Sequence, residues 1–422
     1  MSTSGQTGTS TAQTPRWSLI GPGLVVAATG VGAIDLVATL VAGSKYGYAL
    51  LWCVVIGCVM KVVLVEGVGR YTLASGKTIY EGWSSLGWWT TAYFGPYIVV
   101  WGFVYGAAAM AGTGLPLHSL FPGLSVTQWG ILSGLIGAAL VFAGRYGIFE
   151  KVCAALVGIM FVTMVGAALV TVPHLPDMVT GLVPTIPDGG ILYVLSLAGG
   201  VGGTITLAAY GYWIREKGWT TPVHMRLMRI DNRVAYVVTG VFVIATLIVG
   251  AELLYSAKIA VETGDQGLLD LSNVLADRYG QTMGTFFLVG FWAAAMSSLI
   301  GVWNGVSLMF ADFVGHARKL PVDDPQRGSS GPWYKAYVLW LTLPPIALLL
   351  IGEPVWLILA YGVLGALFMP FLAVTLLWIL NSDRVPSEWR NKLWSNVVLG
   401  LIAIAFFVLA VNELRTKIAD AL

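Results

Sequence analysis

Charged side chains are scarce in this sequence. They make up 10% of its 422 residues, whereas soluble domains carry about 25%. Hydrophobic residues make up 57%, which is more apolar surface than a soluble core can bury. We therefore expect most of the chain to lie in a lipid bilayer. The basic residues are spread over short loops, so the net charge of +2 gives no reason to expect nucleic acid as a partner.

Cysteine and histidine are also few. The three cysteines have no paired spacing and the four histidines are scattered, which excludes a disulfide framework and a zinc motif. A phosphate-binding loop, a nucleophilic triad and a metalloprotease signature are lacking. We expect no enzyme activity, no cofactor and no obligate protein partner.

The N-terminus lacks the basic-then-apolar pattern of a signal peptide. Its first residues, "MSTSGQTGTSTAQTP", are rich in Ser, Thr and Gly. This composition cannot bury enough apolar surface to fold. We predict that residues 1–15 form a disordered tail.

Long apolar runs are what the sequence does contain. Eleven of them are long enough to cross about 30 Å of hydrocarbon. They predict an all-α polytopic membrane protein in which residues 16–422 form a single transmembrane domain. The runs lie at about residues 17–43, 47–74, 84–113, 124–143, 149–172, 190–213, 234–256, 284–312, 333–352, 354–379 and 394–412.

Lys and Arg residues are distributed unequally between alternate loops. If the N-terminus is inside, the outer side holds only Lys45, Lys258, Arg278, Arg415 and Lys417. Cytoplasmic loops carry an excess of Lys and Arg. We therefore expect a multi-pass protein of the plasma (inner) membrane, with the N-terminus in the cytoplasm and the C-terminus outside.

Two spans carry a glycine cluster near the middle: "TGVGAID" in the first and "LAGGVGGTITLAAYGYW" in the sixth. Unwound backbone is tolerated in a bilayer only where it is buried or lines a polar cavity. The clusters lie five spans apart, as in two inverted five-helix repeats that each begin with a discontinuous helix. We predict broken first and sixth helices, with repeats at about 17–172 and 190–379 and an extra helix at about 394–412. The alternative is that both clusters are small-residue packing surfaces.

One carboxylate, Asp35, lies beside the first glycine cluster. A charge near the middle of a bilayer costs roughly 2.5–3.5 kcal/mol even on the most lenient scale. A cation, a proton or a basic side chain must therefore compensate it. Asp35 is the strongest candidate for a binding residue, and a buried ion pair with Lys61 is the alternative.

The segment "GPGLVVAATGVGAIDLVATLVAGSKYGYALLW", followed by "RYTLASGKTIYE", resembles a known family. It is similar to the natural resistance-associated macrophage protein (NRAMP) family of divalent-metal transporters, with its GPG, DPGN, GYALLW and R…TG[KR]DLAE pattern. Gly21-Pro22-Gly23, Gly47 to Trp52, Arg70, Gly76-Lys77 and Glu81 fall into register without a gap. The resemblance implies a LeuT-like fold of about eleven transmembrane helices, with a substrate site between the broken first and sixth helices.

Two motifs of that family are altered here. The DPGN positions fall on residues 32–35, so that Gly32 replaces the Asp and Asp35 replaces the Asn. The MPH positions fall on residues 206–208, which removes both the thioether and the histidine, and a polar residue of the tenth helix falls on Gly362, beside Tyr361. The resemblance therefore implies a divergent, NRAMP-related branch.

Oxygen atoms are the ligands available at such a site. They suit Mg²⁺, Ca²⁺ and Mn²⁺, whereas thioethers favour softer metals, and Mg²⁺ often keeps several waters. A threonine hydroxyl more often bonds the backbone of its own helix, which is the alternative for each threonine here. The candidate substrate or metal ligands, including carbonyls freed at the breaks, are Asp35, Gly32, Gly30, Thr29, Gly203, Thr204 and Thr206.

A second group of residues are candidates for coupling or gating: Lys61, Tyr210, Tyr361, Glu66 and Arg70. Glu66 and Arg70 are four residues apart on one helix face, which favours a structural ion pair. Four roles are open for Lys61: it neutralises the empty site, it takes part in proton coupling, it binds an anion, or it is a snorkelling or ion-paired lysine. Tyr210 lines a gate or, like Tyr212 and Trp213, is an interface anchor.

Three functions are compatible with these patterns. The first is a secondary carrier that imports a hard divalent cation such as Mg²⁺ or Mn²⁺ by alternating access, with proton coupling left open. The second is a carrier of a small organic solute or amino acid, in which Asp35 binds a coupling cation or an amine. A polytopic membrane enzyme is the third, and no convergent set of polar residues supports it. The longest predicted inner loop, about residues 214–233, is too short for the soluble domain of an ATP-driven pump.

Overall fold

A computed structural model describes residues 21–171, 174–190, 193–194, 197–198, 202–255, 265–351 and 354–421. The predicted tail, residues 1–15, lies outside these residues. The described part is helical apart from turns and connecting loops, which confirms the all-α prediction.

Fifteen helices of six residues or more follow one another along the described residues. A π-helical turn, Ala251–Tyr255, directly follows the helix Met225–Gly250. The helices are α1 (Pro22–Gly30), α2 (Ala33–Tyr46), α3 (Leu51–Ser75), α4 (Ile79–Ser84), α5 (Trp88–Leu120), α6 (Val126–Phe142), α7 (Tyr146–Val170), α8 (Leu175–Thr180), α9 (Thr206–Glu216), α10 (Met225–Gly250), α11 (Asp265–Tyr279), α12 (Gln281–Ala317), α13 (Pro332–Ile351), α14 (Pro354–Leu380) and α15 (Leu393–Ala421).

Six helical stretches of the described chain are long and apolar enough to cross a bilayer alone. They contain α3, α5, α7, α10, α12 and α13. Shorter apolar helical stretches lie at Val126–Phe142, Leu367–Leu380 and Leu393–Val408. The protein is therefore a multi-pass membrane protein.

The first span is interrupted in its middle. It consists of α1 and α2, and Val31 and Gly32 between them have extended backbone. The sixth span is interrupted before α9, where Gly202 and Gly203 have φ of 83° and 92°. Only glycine adopts these angles without strain. Both predicted helix breaks are confirmed.

A long central helix, α12, supports the broken first span. It packs against α5, α7 and α1, and every residue from Ala293 to Met309 is buried. A helix that is buried on all sides lies in the interior of the bundle.

Several loops meet at one end of the bundle. Arg70 at the end of α3 donates to the carbonyls of Trp389 and Arg390, after α14. Arg215 at the end of α9 donates to Gly76 O, after α3. The loops that follow α3, α9 and α14 therefore lie on the same side of the membrane.

One predicted loop is much shorter than expected. Residues 214–233 were assigned to a connection, but α9 continues to Glu216 and α10 begins at Met225. The charged residues of "RIDNR" belong to the first turns of α10. Asp231 therefore lies on α10 and is buried inside the bundle.

Candidate substrate site at two broken helices

The two helix breaks touch one another through glycine backbone. A Cβ atom at Gly30 would lie 2.5 Å from the carbonyl carbon of Gly202, and one at Gly203 would lie 3.2 Å from Gly30 Cα. No side chain fits between them. The glycine clusters of the first and sixth spans therefore bring the two breaks together.

Serine hydroxyls from α12 bond the end of α1. Ser297 Oγ donates to Ala28 O and Ser298 Oγ donates to Thr29 O, each at 2.9 Å. The Tyr105 hydroxyl from α5 lies 2.9 Å from Ser298 Oγ. The carbonyls at this break were expected to be available as ligands, but these two already accept hydrogen bonds.

Asp35 lies in the first turn of α2, directly after the break. Its Oδ2 accepts a hydrogen bond from the Gly32 N–H at 2.9 Å. The carboxylate is half-buried, and no side chain or backbone group of another described residue bonds its Oδ1. The positive end of the α2 dipole stabilises a negative charge here. Asp35 thus uses Oδ2 to bond the backbone at the end of the first break. Its Oδ1 is not bonded by another described residue.

Basic and phenolic groups bond the backbone of the sixth-span break. Tyr236 on α10 donates from its hydroxyl to Gly202 O at 3.1 Å, and Lys61 Nζ on α3 donates to Gly203 O at 2.5 Å. Lys61 Nζ also lies 3.5 Å from Met369 Sδ. The Gly203 carbonyl was predicted to be a free ligand, whereas Lys61 already bonds it. Lys61 and Asp35 also interact electrostatically.

The three candidate threonines differ in their hydrogen bonds. Thr29 Oγ1 donates to Val25 O at 2.6 Å, so the alternative role within its own helix is confirmed. Thr204 and Thr206 are 9% and 3% exposed, and their hydroxyls have no hydrogen-bond partner in the described part of the chain. The expectation that they bond their own helix is wrong. Two buried hydroxyls near the start of α9 are therefore unpartnered.

The predicted ion pair of α3 is confirmed. Arg70 Nε lies 3.1 Å from Glu66 Oε2, and Arg229 Nε from α10 lies 3.0 Å from Glu66 Oε1. Arg70 also reaches Asn391 Oδ1 at 2.7 Å. These contacts lie among the connecting loops, away from the breaks. Tyr361 belongs to α14, but its side chain lies outside the described residues.

Tyr210 contacts a carboxylate that the sequence did not single out. Its hydroxyl donates to Asp231 Oδ2 at 3.0 Å. Asp231 also accepts from the N–H groups of Gly21 and Gly23, at 3.2 and 2.6 Å. Tyr210 was expected beside the break but instead helps to hold the start of α1. The only sequence signal for Asp231 is one acid within a basic segment.

Two other aromatic residues of α9 were expected at the membrane interface but are buried. The Tyr212 hydroxyl donates to Asp312 Oδ2 at 2.7 Å, and Trp213 Nε1 donates to Asn304 Oδ1 at 2.8 Å. Both polar partners lie on α12. These residues attach α9 to the central helix and are not anchors in the lipid headgroups.

The ligand chemistry of the site is dominated by oxygen. In the part of the chain that the structure describes, no three His, Cys, Asp or Glu residues lie close enough to hold a metal ion together. The two breaks instead offer a carboxylate oxygen and two hydroxyls. Such a set can bind a cation that keeps part of its water shell, or a small solute with polar groups.

Together, the two discontinuous helices and the polar groups at their junction define a multi-pass membrane transport protein. A family model described as "Natural resistance-associated macrophage protein-like" matches residues 23–416, and the chain belongs to this NRAMP-like family. The family consists of membrane transporters, so the protein is not an enzyme.

Curated relatives match nearly the whole chain. It is 24% identical over 412 residues to the divalent metal cation transporter MntH of Bacillus subtilis (strain 168), with 93% of this chain and 90% of the relative covered. It is 23% identical over 412 residues to the uncharacterized membrane protein YcsG of the same organism, with 95% of each covered.

Solved structures share the fold. A crystal structure of the Eremococcus coleocola manganese transporter has a TM-score of 0.80 at 19% identity, covering 97% of this chain and 90% of the other. MhsT in complex with L-phenylalanine has a TM-score of 0.59 at 15% identity, covering 93% of this chain and 97% of the other. These similarities confirm the LeuT-like fold with its 5+5 inverted repeat. The residue boundaries of the repeats stay a prediction.

Proposed function

We propose that the protein is a secondary-active carrier that imports a divalent metal cation by alternating access, and that its substrate is a hard ion such as Mg²⁺ or Mn²⁺. The observation that carries this proposal is the position of Asp35, a carboxylate directly after the first helix break that interacts electrostatically with Lys61 at the second break. Relatives named divalent metal cation transporter, such as MntH, support the cargo class.

The proposed site combines one carboxylate with neutral oxygen atoms. Asp35 is the charged ligand. The hydroxyls of Thr204 and Thr206 have no hydrogen-bond partner within the described residues, and an ion or its waters would supply one. A Cβ at Gly30, Gly32 or Gly203 would lie within 3.0 Å of a neighbouring atom, so these glycines bring the breaks together and do not leave room for waters. Thr29 contributes a lone pair at most.

A soft metal fits this arrangement poorly. The Met369 sulfur near the breaks already contacts Lys61, so it is not available to an incoming ion. The positive charge of Lys61 also opposes a bare dication more strongly than a hydrated one, since Coulomb repulsion falls with distance and with dielectric screening. A hydrated hard ion is therefore favoured.

Coupling and gating complete the proposed mechanism. Asp35 and Lys61 are the candidates for proton coupling because they are the charged groups at the breaks. Tyr210, through Asp231, and the Glu66–Arg70 pair connect moving helices to their neighbours and are the gating candidates, together with Tyr361. We place the protein in the plasma (inner) membrane, with the loops gathered around Arg70 in the cytoplasm and the C-terminus outside.

The test is calorimetric binding of Mg²⁺ and Mn²⁺ to the purified full-length protein, followed by uptake into liposomes. Asp35→Ala should abolish binding, whereas Asp177→Ala should leave it unchanged, because the Asp177 side chain is 63% exposed. Folding of each variant is checked by its thermal unfolding curve. A folded wild-type protein that binds neither ion would contradict the proposal.

A small organic solute is the second candidate, and a specific observation favours it. Lys61 and the unpartnered hydroxyls of Thr204 and Thr206 give the sixth-span side of the junction a positive, hydrogen-bonding character that suits a carboxylate near the start of α9. An amine would then bind Asp35. Metal ions should not compete with uptake of such a solute, and competition would favour the metal.

A further inference from the structure

Lys61 is a fully buried lysine in the middle of a membrane-spanning helix. Its side chain is 0% exposed, and it belongs to α3, which is apolar over most of its length. A long basic side chain usually snorkels toward water. Lys61 instead extends into the bundle, so the groups around its Nζ must compensate the charge.

These groups come from separate elements and all bind cations. Gly203 O accepts a hydrogen bond from Nζ at 2.5 Å, Met369 Sδ on α14 lies at 3.5 Å, and the ring centroid of Phe406 on α15 lies at 6.0 Å. Asp35 on α2 adds its negative field.

A carbonyl oxygen, a thioether, an aromatic face and a carboxylate are the types of group that surround a bound cation. In discontinuous transporter helices, the unwound carbonyls are the groups that coordinate cations. Here one such carbonyl, that of Gly203, is occupied by a side chain of the same protein.

We propose that Lys61 is a tethered cation that fills a cation cage formed by Gly203 O, Met369, Phe406 and the field of Asp35. The tethered ammonium keeps the two helix breaks in place when no ion is bound. The cage itself has the chemistry to accept a monovalent alkylammonium ion once the lysine is shortened.

This proposal concerns the cage and not the cargo. It holds whether the carrier moves a metal ion or an organic solute, because the two charges that compensate each other, Lys61 and Asp35, both belong to the protein. Thermal stability of the full-length protein in detergent can therefore test it without any transport assay, and its failure is distinguishable from failure of the proposed function.

The experiment is chemical rescue. Lys61→Ala removes Cγ, Cδ, Cε and Nζ, which n-propylammonium replaces atom for atom. We expect Lys61→Ala to unfold at a lower Tm than the wild type, and n-propylammonium to raise that Tm by about 2 °C or more, since a ligand that binds only the folded state stabilises it. Propan-1-ol, with the same length and no charge, should have no such effect, and the wild type should respond to neither.

Two outcomes would overturn the proposal. One is a folded Lys61→Ala protein whose Tm responds equally to n-propylammonium and propan-1-ol. The stabilisation would then come from filling the space and not from the positive charge. The other is a Lys61→Met protein with wild-type Tm, since the charge would then be dispensable.

A second pair of variants covers the case in which Lys61→Ala does not fold. Lys61→Met keeps the length of the side chain and removes its charge. Adding Asp35→Asn should then restore part of the lost Tm, because the uncompensated carboxylate is removed with its partner. Strictly additive losses in the double variant would refute the tethered-cation role.

Discussion

The two helix breaks touch one another, yet the chain stabilises them with side chains of opposite charge. At the first break a carboxylate, Asp35, accepts from the N–H of Gly32. At the sixth-span break an ammonium group, Lys61, donates to the carbonyl of Gly203. Asp35 complements the positive N–H end of α2, whereas Lys61 bonds a carbonyl oxygen that the second break leaves outside a helix.

The neutral partners differ in the same way. At the first break, the hydroxyls of Ser297 and Ser298 bond the carbonyls at the end of α1. At the sixth-span break, Thr204 and Thr206 keep unpartnered hydroxyls within the described residues. The first break is thus closed by its neighbours, and the second retains unused polar groups. Among the neutral groups, those that a ligand can still engage therefore lie on the sixth-span side.

The largest expected effect comes from separating the two breaks. Gly30→Ala would bring a Cβ to 2.5 Å from the Gly202 carbonyl carbon, and backbone cannot yield as a side chain does. We expect a loss of about 1–3 kcal/mol or more in the free energy of unfolding, measured as a lower Tm or as failure to fold.

Gly158→Ala is the matched control for that variant. It lies on α7, and a Cβ there meets no atom within 4 Å, so its helix should be unchanged or stabilised by about 0.5–1 kcal/mol. Equal losses of unfolding free energy in both variants would show that the close contact between the breaks is not the cause of the loss in Gly30→Ala.

A smaller effect is expected from removing one hydrogen bond at the sixth-span break. Tyr236→Phe leaves the buried carbonyl of Gly202 without its phenolic donor, which costs about 1–3 kcal/mol. Tyr193→Phe, whose hydroxyl meets Lys45 in an exposed position, should change the free energy of unfolding by less than about 0.5 kcal/mol. The measurement is thermal unfolding of the two variants side by side. A Tyr236→Phe protein with the wild-type Tm would show that the Tyr236 hydroxyl does not stabilise the break.

The smallest effect on stability is expected at the unpartnered hydroxyls. Thr206→Val replaces the hydroxyl by a methyl group of similar size, which should be neutral or slightly stabilising in the protein without ligand, within about 0.5 kcal/mol. The same variant should weaken binding of the transported substrate. Thr29→Val is the comparison, because that hydroxyl already bonds Val25 O. A clear loss of stability in Thr206→Val would mean that its hydroxyl has a partner after all.

The helices and their breaks could be predicted because they leave local signals. Long apolar runs mark the spans, and glycine clusters mark the interruptions near Gly30 and Gly203. The Glu66–Arg70 pair follows from a spacing of four residues on one helix. Each of these features depends on residues that are neighbours in the sequence.

The partners at the breaks could not be predicted, since they come from distant parts of the chain. Lys61 and Gly203 are separated by 142 positions, and Ser298 and Thr29 by 269. In the sequence, Asp231 resembles an ordinary charge in a basic loop. In the structure the helix already begins at Met225, so Asp231 lies on it and is buried. Which carbonyl is occupied and which hydroxyl is unpartnered depends on how helices pack, and single-sequence patterns do not record it.

The short helix α1 is held at both of its ends by different neighbours. Asp231 on α10 bonds the N–H groups at its start, and Ser297 and Ser298 on α12 bond the carbonyls at its end. Its nine residues span about 14 Å. A rod of this length that loses one attachment swings about the other, so α10 and α12 together set the direction in which α1 can tilt.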